Sequence, residues 1–503
     1  MRREMKIAAG ALLAAAGCAS LPSVGPNYEE PELRPQVVSL PDAGQPSSNL
    51  TASCEYRPAG SNEDTRVVIT MNAVERWWES FGDPVLDSLV TGGVTNNISY
   101  KMAQTRLRQA AWELFGSYAG FLPQFDVGGK WRRSWYSPRT SSGGGSYNHA
   151  NVRSATLDGD WEIDVFGGTR RLVESAFAEM EASRWKVSDS WVSLTTQIGM
   201  EYISLRTMQE RIEVARTNLV LQSETYDILK SRLDSGIGDE LAVNQCAYIV
   251  EQTRARLPQL LAQEEALKNA LAILVGEVPG ALHETLRPLQ ERRDWLLDPQ
   301  RVSELSLGMM RARPDVRAAE RALAAQTARI GIAKAAWFPR LFVTGTVGFE
   351  NRHKSRLFSR ESFFASIGPS VSWPIFQGGS VYANVKAAEE KTAELALDYE
   401  LALDKACGEV RDAYSAYTQE YHRYKALRNA VKAATDAVTI SQDLYKNGLK
   451  DFNNVLDAQR SRLQLEEEFV VSRGQISTEL IRLYRALGGG LAVPDPDEGD
   501  VER

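Results

Sequence analysis

No stretch of about 20 apolar residues occurs in the 503-residue chain, so no segment reads as a bilayer-spanning helix. Transmembrane strands stay open, because their alternation leaves only a weak hydropathy signal. Histidine and cysteine are scarce, with four of each. His149, His283, His353 and His422 are scattered, with no HExxH, no Walker loop and no nucleophile elbow. Cys54, Cys246 and Cys407 fit no metal or redox spacing, so neither a metal site nor a cofactor is expected. Cys246 and Cys407 fall within helical patterns and read as small packing residues. Gly143-Gly144-Gly145 reads as a loop tip, not a phosphate cradle. The chain is therefore not expected to be an enzyme, and energy for any transport must come from a partner. A net charge of -7 argues against a general nucleic-acid binder.

The start of the chain reads as a targeting segment over residues 1–17. Arg2, Arg3 and Lys6 precede the short apolar run Ile7 to Ala16, which is too short to span a membrane. Ala15-Ala16-Gly17-Cys18 resembles the bacterial lipoprotein box and marks Cys18 for lipidation, although Ala15 replaces the usual Leu. Ala19 and Ser20 follow rather than an Asp, which favours the outer membrane. One acyl chain anchors only marginally, so further membrane contacts are expected. Residues 18–82 read as an extended segment containing a flexible insertion at about 41–65. Asp83 and Pro84 then supply an N-cap and a first turn.

Beyond Pro84 one pattern occurs twice. Helical patterns run into Phe121-Leu122-Pro123 and into Trp337-Phe338-Pro339, and after each Pro the period changes from 3.6 to 2. Strands are predicted at about 124–136 and 152–165, then at about 340–350 and 363–374. Phe125, Val127, Trp131 and Trp135 alternate with Asp126, Lys130 and Arg132, and Leu157, Trp161 and Ile163 with Asp158, Asp160 and Glu162. Such lengths with one apolar face suit tilted transmembrane strands, with Trp131, Trp135, Trp161, Phe363 and Trp373 as interfacial girdle residues. A soluble sandwich with one wet face alternates in the same way. If the strands span a membrane, four cannot close a barrel; two copies would give eight strands and three would give twelve.

Each strand pair enters a helix of roughly 65 residues, about 100 Å long, which ends at a hairpin tip. The first tip, at about 236–239, offers Gly236 to end one helix and Asp239 to cap the next; the second, at about 447–451, offers Gly448 and Asp451. Two stacked shorter helices match each long one in length. The repeats are placed at 83–290 and 291–490, with a tail at 491–503.

Taken together, the Cys18 box, Val24-Gly25-Pro26-Asn27-Tyr28, Trp77-Trp78-Glu79-Ser80-Phe81-Gly82-Asp83, Arg313-Pro314-Asp315-Val316, Phe338-Pro339, Trp373-Pro374-Ile375-Phe376-Gln377-Gly378-Gly379, Gly448 and Val455-Leu456-Asp457-Ala458-Gln459-Arg460 resemble the TolC-type outer-membrane efflux channels, in their lipid-anchored NodT-like branch. The resemblance implies a mainly α-helical fold with a membrane β-barrel. It implies a homotrimer with a 12-stranded barrel and a helical periplasmic tunnel. It implies as partners a periplasmic adaptor, an inner-membrane pump of the resistance-nodulation-division type and the lipid bilayer. By position it makes Asp457 a three-carboxylate gate ring and places Tyr445 and Lys450 among the gate residues. Asn453 departs from the large apolar plug frequent in that branch, and Ala242 departs from an acidic partner, leaving Ala242 and Gln245 on the first tip against Asp457 on the second. Read from the residues alone, Asp451 and Asp457 can equally be complements to a helix N-terminus, and Lys450 a solvated lysine. The expected function is a passive exit duct of a tripartite efflux pump. Alternatives are a duct for polypeptide secretion and a soluble periplasmic adaptor.

Overall fold

The computed structural model describes residues 23–31, 76–135, 149–289, 311–447 and 449–489. The leader, Cys18, Cys54, the 41–65 insertion, most of the 137–151 loop, Gly448 and the 491–503 tail lie outside the described residues. The described elements are α1 (Pro84–Asn96), α2 (Ile98–Tyr118), β1 (Gln124–Trp135), β2 (His149–Ile163), α3 (Gly168–Asp234), α4 (Glu240–Val275), α5 (Pro314–Ala335), β3 (Arg340–Asn351), β4 (Phe363–Ser372), α6 (Ser380–Lys446) and α7 (Phe452–Ala486). The order α2-β1-β2-α3-α4 recurs as α5-β3-β4-α6-α7, so the chain is a tandem repeat. The chain resolves into two compact units.

One unit holds the strands with residues 106–184 and 318–400. The four strands form one antiparallel sheet in the order β1-β2-β3-β4. Register keeps the alternation intact across all four. Val127, Leu157, Val347 and Ala365 lie in one row, and Asp126, Asp158, Thr346 and Ser366 in the next. Because side chains alternate, the first row lines one face and the second row the other. Pairing of β2 with β3 joins the two repeats. β2 begins at His149, opposite Trp135, and ends at Ile163. Asp164, whose place in the alternation predicted a strand position, instead accepts the Arg170 backbone N–H at 2.9 Å and its side-chain Nε at 3.3 Å. Its carboxylate thus serves the first turn of α3 rather than the sheet.

Residues 23–31 lie against this unit as a strap. The Val24 N–H bonds to the Phe166 carbonyl at 3.1 Å. Buried Arg171 donates to the carbonyls of Val24 and Gly25 and to Asn27 Oδ1. Tyr28 donates to Glu320 at 3.2 Å. Gly25, at φ 103°, passes so close to Gly331 that a Cβ would lie 2.5 Å from its Cα, which leaves only glycine there.

The second unit holds residues 33–105, 185–317 and 401–503. Its core includes Trp77, wholly buried and stacked on Tyr484. Asp83 caps α1 through Val85 and accepts the Tyr202 hydroxyl at 2.6 Å. Burial, with that carboxylate beside it, pushes the Tyr202 phenol well above its ordinary range. Two equivalent junctions link short helices end to end. Asn97 Nδ2, just before α2, donates to the Leu274 carbonyl at 2.8 Å, and Arg313 Nη1, just before α5, donates to the Ala486 carbonyl at 2.8 Å. Both helices that end there do so through a left-handed glycine, Gly276 and Gly488.

Candidate functional site

The first hairpin tip is fixed by main-chain bonds. Ile237 N–H reaches the Arg232 carbonyl and Gly236 N–H the Leu233 carbonyl, with Gly236 at φ 75°. This pair of bonds is the Schellman ending. The Asp239 carboxylate then accepts the Leu241 N–H at 3.0 Å, starting α4. Both glycine and aspartate act here as their sequence positions predict.

The second tip repeats the five-residue main-chain bond but lacks the capping carboxylate. Leu449 N–H donates to the Leu444 carbonyl at 2.9 Å. Asp451 stands at the N-cap of α7, but its side chain makes no capping bond. The Asp451 backbone carbonyl receives Asn454 Nδ2 instead, at 3.2 Å. Asn453 and Lys450 are exposed. Asp457 projects into solvent with its side chain 78 % exposed and lies 3.8 Å from Arg460. Asp457 is beyond the first turn, so it is poorly placed to serve as a complement to the helix N-terminus.

Tyr445 sits differently from the other proposed gate residues. It packs half-buried against a cluster of Leu229, Ala242, Val243, Cys246, Ile249, Val250, Phe452, Val455 and Leu456, drawn from both hairpins. Its ring lies 5.2 Å from that of Phe452, and the Arg232 guanidinium lies over it at 5.4 Å. Arg460 reaches across in the same way to the Tyr248 ring, also at 5.4 Å. Sequence reading did not single out Arg232 or Tyr248 as partners of these groups; the only signal was a basic residue in the last turn of α3. Ala242 is 3 % exposed, so it is a core residue of the cluster and does not face outward as a gate partner would. Gln245, in the position that Asp457 occupies on the other hairpin, is half-buried. The Cys246 thiol, buried in the cluster, is pushed up to about 11 and stays a packing residue.

In the strand unit, the residues expected to form girdles separate by level. Trp161 Nε1 donates to the Phe121 carbonyl at 2.9 Å and Trp373 Nε1 to the Trp337 carbonyl at 3.1 Å. The same indole-to-carbonyl bond thus recurs in both repeats, two residues before Pro123 and Pro339. Trp131, Trp135 and Phe363 lie toward the opposite end of the strands, and all three are more than half exposed. Between the levels lie Val127, Ile367 and Val371, which are also exposed. An amphipathic Trp with its N–H satisfied and its ring outward suits a membrane interface.

An open four-stranded sheet with an exposed apolar face, and long helices that end in hairpin turns, are the parts of a membrane channel of the strand-and-hairpin kind. The chain belongs to the outer membrane efflux protein family, whose model matches residues 94–277 and 309–489. It is 29 % identical to Nodulation protein T of Rhizobium leguminosarum bv. viciae, over 84 % of this chain and 86 % of that one. It is 28 % identical to the toluene efflux pump outer membrane protein TtgF of Pseudomonas putida, over 95 % of each. Among solved structures, the outer-membrane channel OprN superimposes with a TM-score of 0.78 at 30 % identity, over 93 % of this chain and 99 % of that one. The protein is an outer-membrane efflux duct and not an enzyme. Membership implies an adaptor and an inner-membrane pump as its working partners.

Proposed function

We propose that the protein is the passive exit duct of a tripartite pump, built from three copies whose twelve strands close one barrel. The observation that carries this is the sheet itself. β1 and β4 are its two edges, and unpaired edges are not tolerated in lipid, so other strands must complete the ring. Two copies would reach the smallest known barrel, but the family favours three. The hairpin tips form the inner mouth and the surface offered to the periplasmic adaptor, with Gly236, Asp239 and Asp451 at their turns. Asp457 supplies three carboxylates around the axis, flanked by Asn453 and Lys450, while Tyr445 holds the two hairpins of each copy together. Three like charges near an axis repel and attract counter-ions, so a partly open ring favours cations. Cys18 carries the lipid anchor. The cargo is small and apolar or amphiphilic, a reading supported by the toluene and antibiotic pumps after which relatives are named.

Planar-bilayer recording of the purified protein and of Asp457→Ala tests the duct and its gate together. The expected outcome is single channels from both, with higher conductance and weaker cation preference in the variant. No channel from either would sink the duct. Identical conductance and selectivity would leave Asp457 an ordinary surface residue.

A further inference from the structure

At the loop end of the sheet the charge changes sign. Toward the helices, the polar face carries Asp126, Asp158, Asp160 and Glu162. Toward the loops the strands carry Lys130, Arg132, Arg133 and Arg153, and the β3–β4 connection adds Arg352, Lys354, Arg356 and Arg360. Against these eight cations stand Glu350 and Glu361, and among the described residues none of the eight forms an ion pair.

The connection presenting them is folded. Asn351 Oδ1 accepts the His353 N–H, its Nδ2 donates to Ser362 Oγ at 2.6 Å, and that hydroxyl donates to the Arg356 carbonyl at 2.7 Å. Phe358 and Phe363 pack edge-on against Phe349. Arg153 Nη1 ties β2 to this connection through the Arg352 carbonyl at 3.1 Å.

Arg133 and Arg153 occupy odd positions, on the apolar face, interleaved with Trp131 and Trp135. The Arg133 guanidinium lies 5.1 Å over the Trp135 ring. Trp161 and Arg153 are eight residues apart on β2, or about 26 Å along the strand, which at a barrel tilt of about 40° is roughly 20 Å of height, most of an apolar band about 25 Å tall. The arginines therefore stand near the far edge of the lipid-facing surface from the anchored indoles. A charge there is costly at mid-depth but favourable at the headgroups.

We infer that this rim binds the phosphate groups of lipids in the outer leaflet, through Arg133, Arg153 and Arg352. This rests on the reading that the sheet crosses the outer membrane. Guanidinium matches phosphate oxygens two at a time, and the neighbouring aromatics give the acyl chains a rigid wall.

The test places the full-length protein in phosphatidylcholine nanodiscs doped with diphosphoryl lipid A, monophosphoryl lipid A or phosphatidylglycerol, and counts retained lipid by native mass spectrometry. The expected order is diphosphoryl above monophosphoryl, with binding weakened by salt. The combined variant Arg133→Gln, Arg153→Gln, Arg352→Gln should lose about 100-fold in affinity, roughly fivefold per arginine. The corresponding lysine variant, which keeps the charge but loses the paired donors, should fall between the native protein and the glutamine variant, and Arg340→Gln at the other end should change nothing. Retention unaltered in the glutamine variant overturns the inference. Displacement by inorganic phosphate alone overturns it too, in favour of a free-anion site. Should the glutamine variant misfold, salt-insensitive binding by the native protein is equally fatal. Failure to enter nanodiscs at all would instead refute the membrane-spanning reading.

Discussion

Asp239 and Asp451 stand at the same place in the two hairpins, at the N-cap of a return helix, yet only Asp239 bonds to the turn it precedes. The first tip is closed by local main-chain bonds and a capping carboxylate. The second shares the main-chain bond but not the carboxylate, and adds two side chains: neighbouring Phe452, buried beneath Tyr445, and Arg232, brought from the other hairpin and laid over that ring. Relative to their caps, the buried residues also differ. They are Ala242, Val243 and Cys246 on α4, but Phe452, Val455 and Leu456 on α7. The packed face of α7 is thus turned relative to that of α4, leaving Asp457 outermost while Gln245 is half-buried.

Substitution at the buried ring should separate the tips most. Phe452→Ala removes an aromatic that is 6 % exposed from the shared cluster, at a cost of about 3 kcal/mol. Hydrogen exchange should accelerate around 449–456 more than around 235–243; equal acceleration at both would mean that the tips are one cooperative unit. The caps come next. Asp239→Ala should cost about 1 kcal/mol, whereas Asp451→Ala should cost no more than about 0.3 kcal/mol. Thermal or denaturant unfolding of the two variants measures the gap, and equal losses would erase the distinction.

The smallest effect concerns the opposite ends of the return helices. After α4, His283 contacts two acceptors, the Gly280 carbonyl at 2.7 Å and Glu265 at 2.8 Å. Those bonds raise its pKa above the ordinary 6.5, with nearby Lys268 opposing. A raised value means the latch is fully present below about pH 6.5 and is lost as pH rises through the folded-state value. After α7, Arg313 is held by Asp315 and Glu409, which outweigh its burial and raise it further, so that end should ignore pH. Protection of 277–289, measured against the intrinsic base-catalysed rate, should therefore fall toward alkaline pH, and His283→Gln should remove that fall. A fall in protection that persists in the variant would place the titration elsewhere.

Much of this was legible in the residues. Alternation of period 2 marked all four strands, because each carries apolar side chains on one face and polar ones on the other, and register preserved it. Asp83, Asp239 and Gly236 mark helix ends through bonds spanning a few residues, which sequence records directly. Position alone misled at Asp451, since a capping residue can be in place without its side chain turning inward. The contact of Arg232 with Tyr445 joins residues more than 200 positions apart, and no local pattern encodes it. Ala242 shows the same limit: alignment by tip position assigns it to a surface, whereas the rotation of α4 buries it.

The two free edges of the sheet also bear on when membrane entry can happen. Every N–H and C=O along the outer sides of β1 and β4 is stable in water and costly in hydrocarbon. A lone copy therefore meets a barrier at the bilayer that disappears once its edges are paired. On the proposed three-copy reading, encounter between copies, rather than contact with lipid, becomes the step that commits the chain to the membrane.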